Sequence, residues 1–159
     1  TADRTGDWIA MDFPADPTKP TSIASAVKNA LGFVPLSVNQ GRSYYLVEVA
    51  SEQELRELKP VLSLWQEAMT GCIVTSVSDS KDYDFVSRFF ALGLGIHEDP
   101  VTGSAHCLLA PYWAEKLGKT EMVGYQASAR GGVVRVRLEG DRVVLSGQAV
   151  TVMRAELAD

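Results

Sequence analysis

The residues with the most chemistry in them stand together, at Gly95-Ile96-His97-Glu98-Asp99-Pro100-Val101-Thr102-Gly103-Ser104-Ala105-His106. An acidic pair is followed by a proline turn, then by small and hydroxyl residues that open an apolar stretch. From Cys107 to Leu117 that stretch keeps a helical stripe at Leu108, Leu109, Tyr112, Trp113 and Leu117, and Gly118-Lys119 supplies a stop signal. Thr102, Gly103 and Ser104 therefore sit at a helix N-terminus, where unpaired backbone N–H groups and the helix dipole favour a negative ligand group. Gly103 lets a ligand approach the backbone, and Asp99 stands just outside as an acid, a base or a hydrogen-bond partner. The same string also reads as an ordinary helix start, because Asp and Thr are common caps and proline a common turn former.

Other residue types narrow the chemistry. His97 and His106 lack the spacing and companion ligands of a zinc site, so no metal is expected. Cys72 and Cys107 are too few for a disulfide framework and read as buried free thiols. Glu98 offers a second carboxylate, although a solvated or capping acid is its commoner role. Arg130-Gly131-Gly132 has two readings: Arg130 binds a carboxylate while the glycines admit a close backbone approach, or the segment is a turn carrying a surface arginine. Gly93-Leu94-Gly95 lacks the third glycine of a dinucleotide-binding turn. Trp8, Trp65 and Trp113 read as core. The pairs Phe89-Phe90 and Tyr44-Tyr45 put one ring on each strand face, which leaves one of each for a cleft or an interface.

The elements that must position these residues follow from pattern. Trp8 to Phe13 alternates, with Ile9, Met11 and Phe13 on one face, and is ended by Pro14. A helix capped by Thr21 or Ser22 carries the stripe Ile23, Ala26, Val27, Ala30 and Leu31 up to Gly32. A turn at Asn39 to Ser43 leads into the β-rich run Tyr44 to Val49. Ser51-Glu52-Gln53-Glu54 is a capping box that starts a helix to about Leu58, and Pro60 opens another over Val61 to Met69. Strands are expected at Cys72 to Ser78 and Tyr83 to Phe90. After the motif helix they follow at Met122 to Ala127, Val133 to Leu138, Val143 to Leu145 and Gln148 to Met153, with a hairpin turn at Glu139-Gly140-Asp141. The mixture is α+β rather than a doubly wound parallel sheet.

Composition sets the bounds. At 159 residues, with 46% hydrophobic and 22% charged, the chain has enough apolar material for one domain with a real core. The net charge of -5 comes with scattered Lys and Arg, so no nucleic-acid partner is expected. No apolar run approaches a bilayer span, and Thr1 to Asp7 lacks a signal pattern, so no membrane partner and a cytoplasmic location are expected.

Asp84-Phe85-Val86-Ser87-Arg88-Phe89-Phe90, followed by the Gly95 to His106 string, resembles the PhzF-like phenazine biosynthesis family. Further matches are Pro111-Tyr112-Trp113, Leu117-Gly118-Lys119, Gln126-Ala127-Ser128-Ala129-Arg130-Gly131-Gly132 and Gly140 to Gly147, with Met11-Asp12-Phe13-Pro14-Ala15 upstream. The family usually has a proline near Leu92. The resemblance implies a diaminopimelate-epimerase-like domain, with a curved antiparallel or mixed sheet, or a barrel, around a central apolar helix; Ala105 to Leu117 is that helix here. It further implies that residues 1–17 are the strand leaving the family's first domain with its linker, and that residues 18–159 are the second domain.

Function follows in the same conditional way. The resemblance implies a cofactor-independent isomerase that shifts a proton on a small cyclic or amino-acid carboxylate. Asp99 and Ser104 are then the catalytic residues, with Thr102, Gly103 and Arg130 binding substrate. The family's catalytic glutamate and active-site histidine lie in its first half, for which this chain shows no counterpart, so a fragment or shortened relative is implied. The alternative is a non-catalytic ligand-binding or interaction module that keeps the fold. Because the two domains of the family resemble each other, a homodimer could seat a second copy where the first domain belongs.

Overall fold

The computed structural model describes residues 2–22, 24–61, 70–91, 93 and 95–157. Residues 62–69 of the expected helix Val61 to Met69, with Trp65, then Ile23 and the side chain of Ala26 in the first helical stripe, and the Leu92 and Leu94 positions lie outside what it describes. Strands are β1 (Ala2–Thr5), β2 (Trp8–Pro14), β3 (Lys19–Pro20), β4 (Ser37–Gln40), β5 (Tyr45–Glu48), β6 (Cys72–Val77), β7 (Phe85–Ala91), β8 (Ile96–Asp99), β9 (Glu121–Gln126), β10 (Gly132–Glu139) and β11 (Arg142–Gln148). Helices are α1 (Ala24–Leu31), α2 (Glu52–Glu57) and α3 (Gly103–Leu117).

The strands form one sheet in the order β1-β2-β11-β10-β9-β7-β6-β5-β4-β3, with β8 attached to β7 alone. Two of its pairings are parallel, β5 with β6 and β7 with β9; the others are antiparallel. The path runs from an edge at β1 to an edge at β3, so the sheet is open and the barrel alternative does not hold; the α+β class does. The strand expected at Val143 to Leu145 runs on to Gln148, but the one expected at Gln148 to Met153 does not form: residues 149–153 are exposed and lie outside any strand. The small Ser146 and Gly147 are no break, because both are paired to β2. Short, polar β8 carried no strand pattern in the sequence.

Side-chain alternation along β5, β6 and β7 builds a core on each face. Leu46, Ile73, Phe85 and Phe89 point to α3, whereas Val47, Val74, Val86 and Phe90 point to α1 and α2, where Val27, Leu31 and Leu55 wait. Each aromatic pair divides in this way: Phe89 with Tyr44 on one side, Phe90 with Tyr45 on the other. Both phenylalanines are buried. Ser51 accepts the Glu54 N–H at 3.1 Å, as a capping box requires, but the Glu54 carboxylate reaches Ala50 N at 3.1 Å rather than Ser51 N.

Helix α3 is apolar nearly all round, and Ala105 to Ala110 with Trp113 are buried. Trp113 stacks on Phe85 at 6.0 Å, and its indole N–H donates to Thr75 Oγ1 at 3.0 Å. Pro111 inside the helix has no N–H to give the Cys107 carbonyl, and that freed acceptor takes the Asp16 N–H at 2.9 Å. The proline thus fixes the segment after β2 against α3. Gly118 closes the helix at φ 65° with its N–H on Ala114 O.

Packing is tight under α3, where a Cβ on Gly124 would stand 2.5 Å from Phe85 Cε2 and 2.6 Å from Phe85 Cζ. A ring buried on all sides cannot swing clear. Gly124→Ala is therefore expected to lose about 1–3 kcal/mol of stability in urea unfolding. An unchanged midpoint would contradict this packing.

Candidate functional site

Strand β7 has two neighbours on one side. Phe85 to Ser87 pair with β9, whereas Phe89 and Ala91 pair with β8, with a register shift between them. The sheet forks there, and backbone groups in the fork have no ladder partner. Gln126, the last residue of β9 and fully buried, supplies the missing partners. Its Oε1 accepts the Thr102 N–H at 2.8 Å, while its Nε2 donates to Asp99 O at 2.6 Å and to Thr102 Oγ1 at 3.1 Å. All of its amide functions are used, which fixes the orientation of the group.

Thr102 is the N-cap of α3, yet its hydroxyl makes no cap bond. It donates instead to Asp99 Oδ2 while accepting from Gln126. Two consequences follow. The Asp99 carboxylate is held at the fork, and the first N–H groups of α3 receive no cap from Thr102 and have no side-chain acceptor among the described residues. Gly103 and Ser104 are exposed at that helix end. The structure thus brings together Asp99, Thr102, Gly103 and Ser104.

His106 completes the arrangement from below. It is fully buried, and its Nδ1 lies 2.7 Å from Thr102 O, an acceptor, so Nδ1 carries the proton and Nε2 is the bare nitrogen. Nε2 has no partner. Burial pushes the imidazole pKa down to about 4, against the smaller upward effect of the Thr102 carbonyl. It is a core histidine.

Two hollows are relevant. One of about 270 Å³ opens beside Ser104 and is lined by Phe13, Pro14, Asp16, Arg42, Ser43, Tyr44, Cys107 and Leu108. A larger one, about 550 Å³, lies on the other sheet face around Trp8, Met122, Arg135 and Val144, and holds no motif residue. Size favours the second, but hydroxyl, carboxylate and guanidinium groups next to an uncapped helix start converge only at the first. In it Ser104 Oγ donates toward Tyr44 Oη at 3.4 Å. Asp16 accepts the Arg42 N–H at 3.1 and 3.2 Å. Burial, and then the Asp16 charge, push the Cys107 thiol upward, which keeps it protonated and disfavours thiolate chemistry.

The remaining sequence-derived residues fall elsewhere. Arg88 grips Glu98 with two bonds of 2.7 and 2.9 Å and also donates to Leu55 O and Leu58 O, so Glu98 anchors β8 to the end of α2. Arg130 is exposed in the β9–β10 connection and has no hydrogen bond or ion pair among the described residues. Ser128 in that connection donates to Pro100 O at 2.8 Å, which ties the loop to the motif. His97 is exposed. Among the described residues no three His, Cys, Asp or Glu side chains are grouped to hold a metal. Sequence reasoning missed Gln126, Asp16 and Arg42; the first lay inside a quoted motif and the others have no local signal, while the sequence marks Tyr44 only as one of a pair of rings of which one lines a cleft or an interface.

Comparison with known proteins agrees with this architecture. The phenazine biosynthesis-like protein family matches residues 10–155. An uncharacterized isomerase of Halalkalibacterium halodurans is 52% identical over 159 residues, covering 99% of this chain and 60% of that protein. An uncharacterized isomerase of Pseudomonas aeruginosa is 44% identical over 152 residues, covering 94% of this chain and 57% of its own length. The crystal structure of a putative PhzC/PhzF protein from Clostridium difficile superposes with a TM-score of 0.87 at 36% identity, covering 99% of this chain and 61% of that one. The chain thus spans about 60% of the length of these relatives.

His106 gives the site a pH signature. Its pKa is lower in the folded chain than the ordinary 6.5, so the unfolded state binds the extra proton. Stability falls as pH drops from about 6.5 toward 4, with a slope approaching about 1.4 kcal/mol per pH unit. Urea unfolding at pH 7.0, 5.5 and 4.5 should show this loss, and His106→Phe should lack it. Parallel pH profiles for the two proteins would refute the assignment.

Proposed function

The chain belongs to the phenazine biosynthesis-like family, and from that premise we propose that it supplies the aspartate half of the active site of a PhzF-type isomerase. The reaction class is a cofactor-independent proton shift on a small cyclic or amino-acid carboxylate. The observation that carries the reading is the uncapped α3 N-terminus beside a fixed carboxylate: Thr102 turns its hydroxyl to Asp99 and leaves the N–H groups of Gly103 and Ser104 for a ligand.

In this reading the substrate carboxylate lies on the helix start, where N–H groups and the dipole favour an anion. Ser104 Oγ adds a donor, Thr102 shapes the turn, and Arg130 approaches from the loop tied to Pro100. Asp99 touches the substrate near the migrating proton. The principal acid–base is the glutamate of the family's first domain; a carbon acid needs such a carboxyl with its pKa raised by burial.

Residues 1–17 are assigned as the strand leaving that first domain with its linker, and residues 18–159 as the second domain. A homodimer in the cytoplasm is part of the same proposal. No helix among the described residues is long and apolar enough to cross a membrane. The isomerase names of the two bacterial relatives support this reading over a non-catalytic module.

Titration of the ¹⁵N-labelled chain with anthranilate, a cyclic amino carboxylate, tests the site. The amide signals of Gly103 and Ser104 should move together and saturate. If other amides respond while these two stay fixed, the site assignment fails.

A further inference from the structure

The hollow beside Ser104 has a donor arrangement that the proposed reading does not use. Tyr44 Oη and Ser104 Oγ stand 3.4 Å apart, too far for a good hydroxyl–hydroxyl bond, which prefers about 2.7–2.8 Å. One acceptor oxygen placed between them can reach both at ordinary distance. We propose that Tyr44 is the second hydroxyl of a two-donor clamp that, with Ser104, grips one oxygen of the ligand carboxylate in this hollow, and so helps to determine which ligands are held. The inference rests on the ligand reading of the α3 N-terminus.

Tyr44 is set for this role by packing. Its ring meets Phe89 edge to face at 4.8 Å, and a Cβ on Gly71 would come within 2.8 Å of both rings. Ring position is therefore fixed without help from the hydroxyl, whose one hydrogen-bond contact among the described residues is the long one to Ser104. The wall behind is equally constrained. A Cβ on Gly41 would stand 2.5 Å from Leu108 Cδ2 and 3.0 Å from Asp16 Oδ2, so the turn that carries Arg42, Ser43 and Tyr44 is pressed against α3.

Charge and volume set the ligand class. The Arg42 guanidinium is exposed and only loosely paired with Asp16 at 3.8 Å, and it supplies a cation at the rim. Phe13, Pro14 and Leu108 give an apolar wall, and about 270 Å³ is ample for a six-membered ring with its carboxylate. The ligand is a small cyclic carboxylate whose anionic oxygen meets the two hydroxyls.

Tyr44→Phe removes the hydroxyl and keeps the ring packing, so the variant is expected to fold. Anthranilate binding is read from the Gly103 and Ser104 amide shifts in the unsubstituted chain, Tyr44→Phe and Ser104→Ala. The clamp predicts that each substitution raises Kd about tenfold, and that aniline, which has no acceptor oxygen, binds the unsubstituted chain and Tyr44→Phe equally weakly. An unchanged Kd for anthranilate in Tyr44→Phe, with Gly103 and Ser104 still responding, overturns the clamp and leaves the proposed function standing. Fixed Gly103 and Ser104 signals in the unsubstituted chain overturn both.

Discussion

The side-chain amide of Gln126 closes a gap that the backbone cannot close. Where β7 exchanges β9 for β8 as its neighbour, the buried Thr102 N–H and the part-buried carbonyl of Asp99, which sits opposite Phe89 at the end of β8, both turn to Gln126. A buried polar group without a partner costs about 1–3 kcal/mol, and Gln126 satisfies both groups at once. Gln126 thereby joins the end of the motif strand to the first turn of α3, while Arg88 holds Glu98 and Ser128 holds the Pro100 carbonyl.

The rest of the site is arranged by similar substitutions of one partner for another. Thr102 spends its hydroxyl on Asp99, and the helix start stays open as a result. Pro111 withholds an N–H, and the Cys107 carbonyl then binds Asp16 and sets the wall of the hollow. Glu98 is taken by Arg88, which removes it from the chemistry and pins β8 to α2. Asp99, its neighbour in the strand, is consequently presented to the opposite side.

Much of this was legible in the sequence because local rules agree with the fold. The stripe from Leu108 to Leu117, the stop at Gly118, the Ser51 cap and the Gly140 turn are each set by residues close in the chain. The group Asp99, Thr102, Gly103 and Ser104 spans one turn and could be read in the same way. β8 was not legible, since Ile96 to Asp99 is polar and partly exposed and owes its extension to pairing with β7. Asp16 and Arg42 were not legible either: they come to line one hollow with Ser104 only after a strand and a proline-freed carbonyl bring distant segments together, whereas Tyr44 was legible as far as the alternation of the Tyr44-Tyr45 pair. The open sheet depends on which edges find partners, and no local pattern encodes that.

Amide hydrogen exchange at Thr102 tests the role of Gln126 most directly. Gln126→Leu keeps most of the side-chain bulk and removes both hydrogen-bonding functions. If Gln126 positions the motif, protection of the Thr102 amide should fall at least about tenfold in the variant, about 1.4 kcal/mol of local opening, while β6 amides such as Val74 keep theirs. Thr102 protection equal in the two proteins would contradict the account, because the fork would then be held together by something other than Gln126.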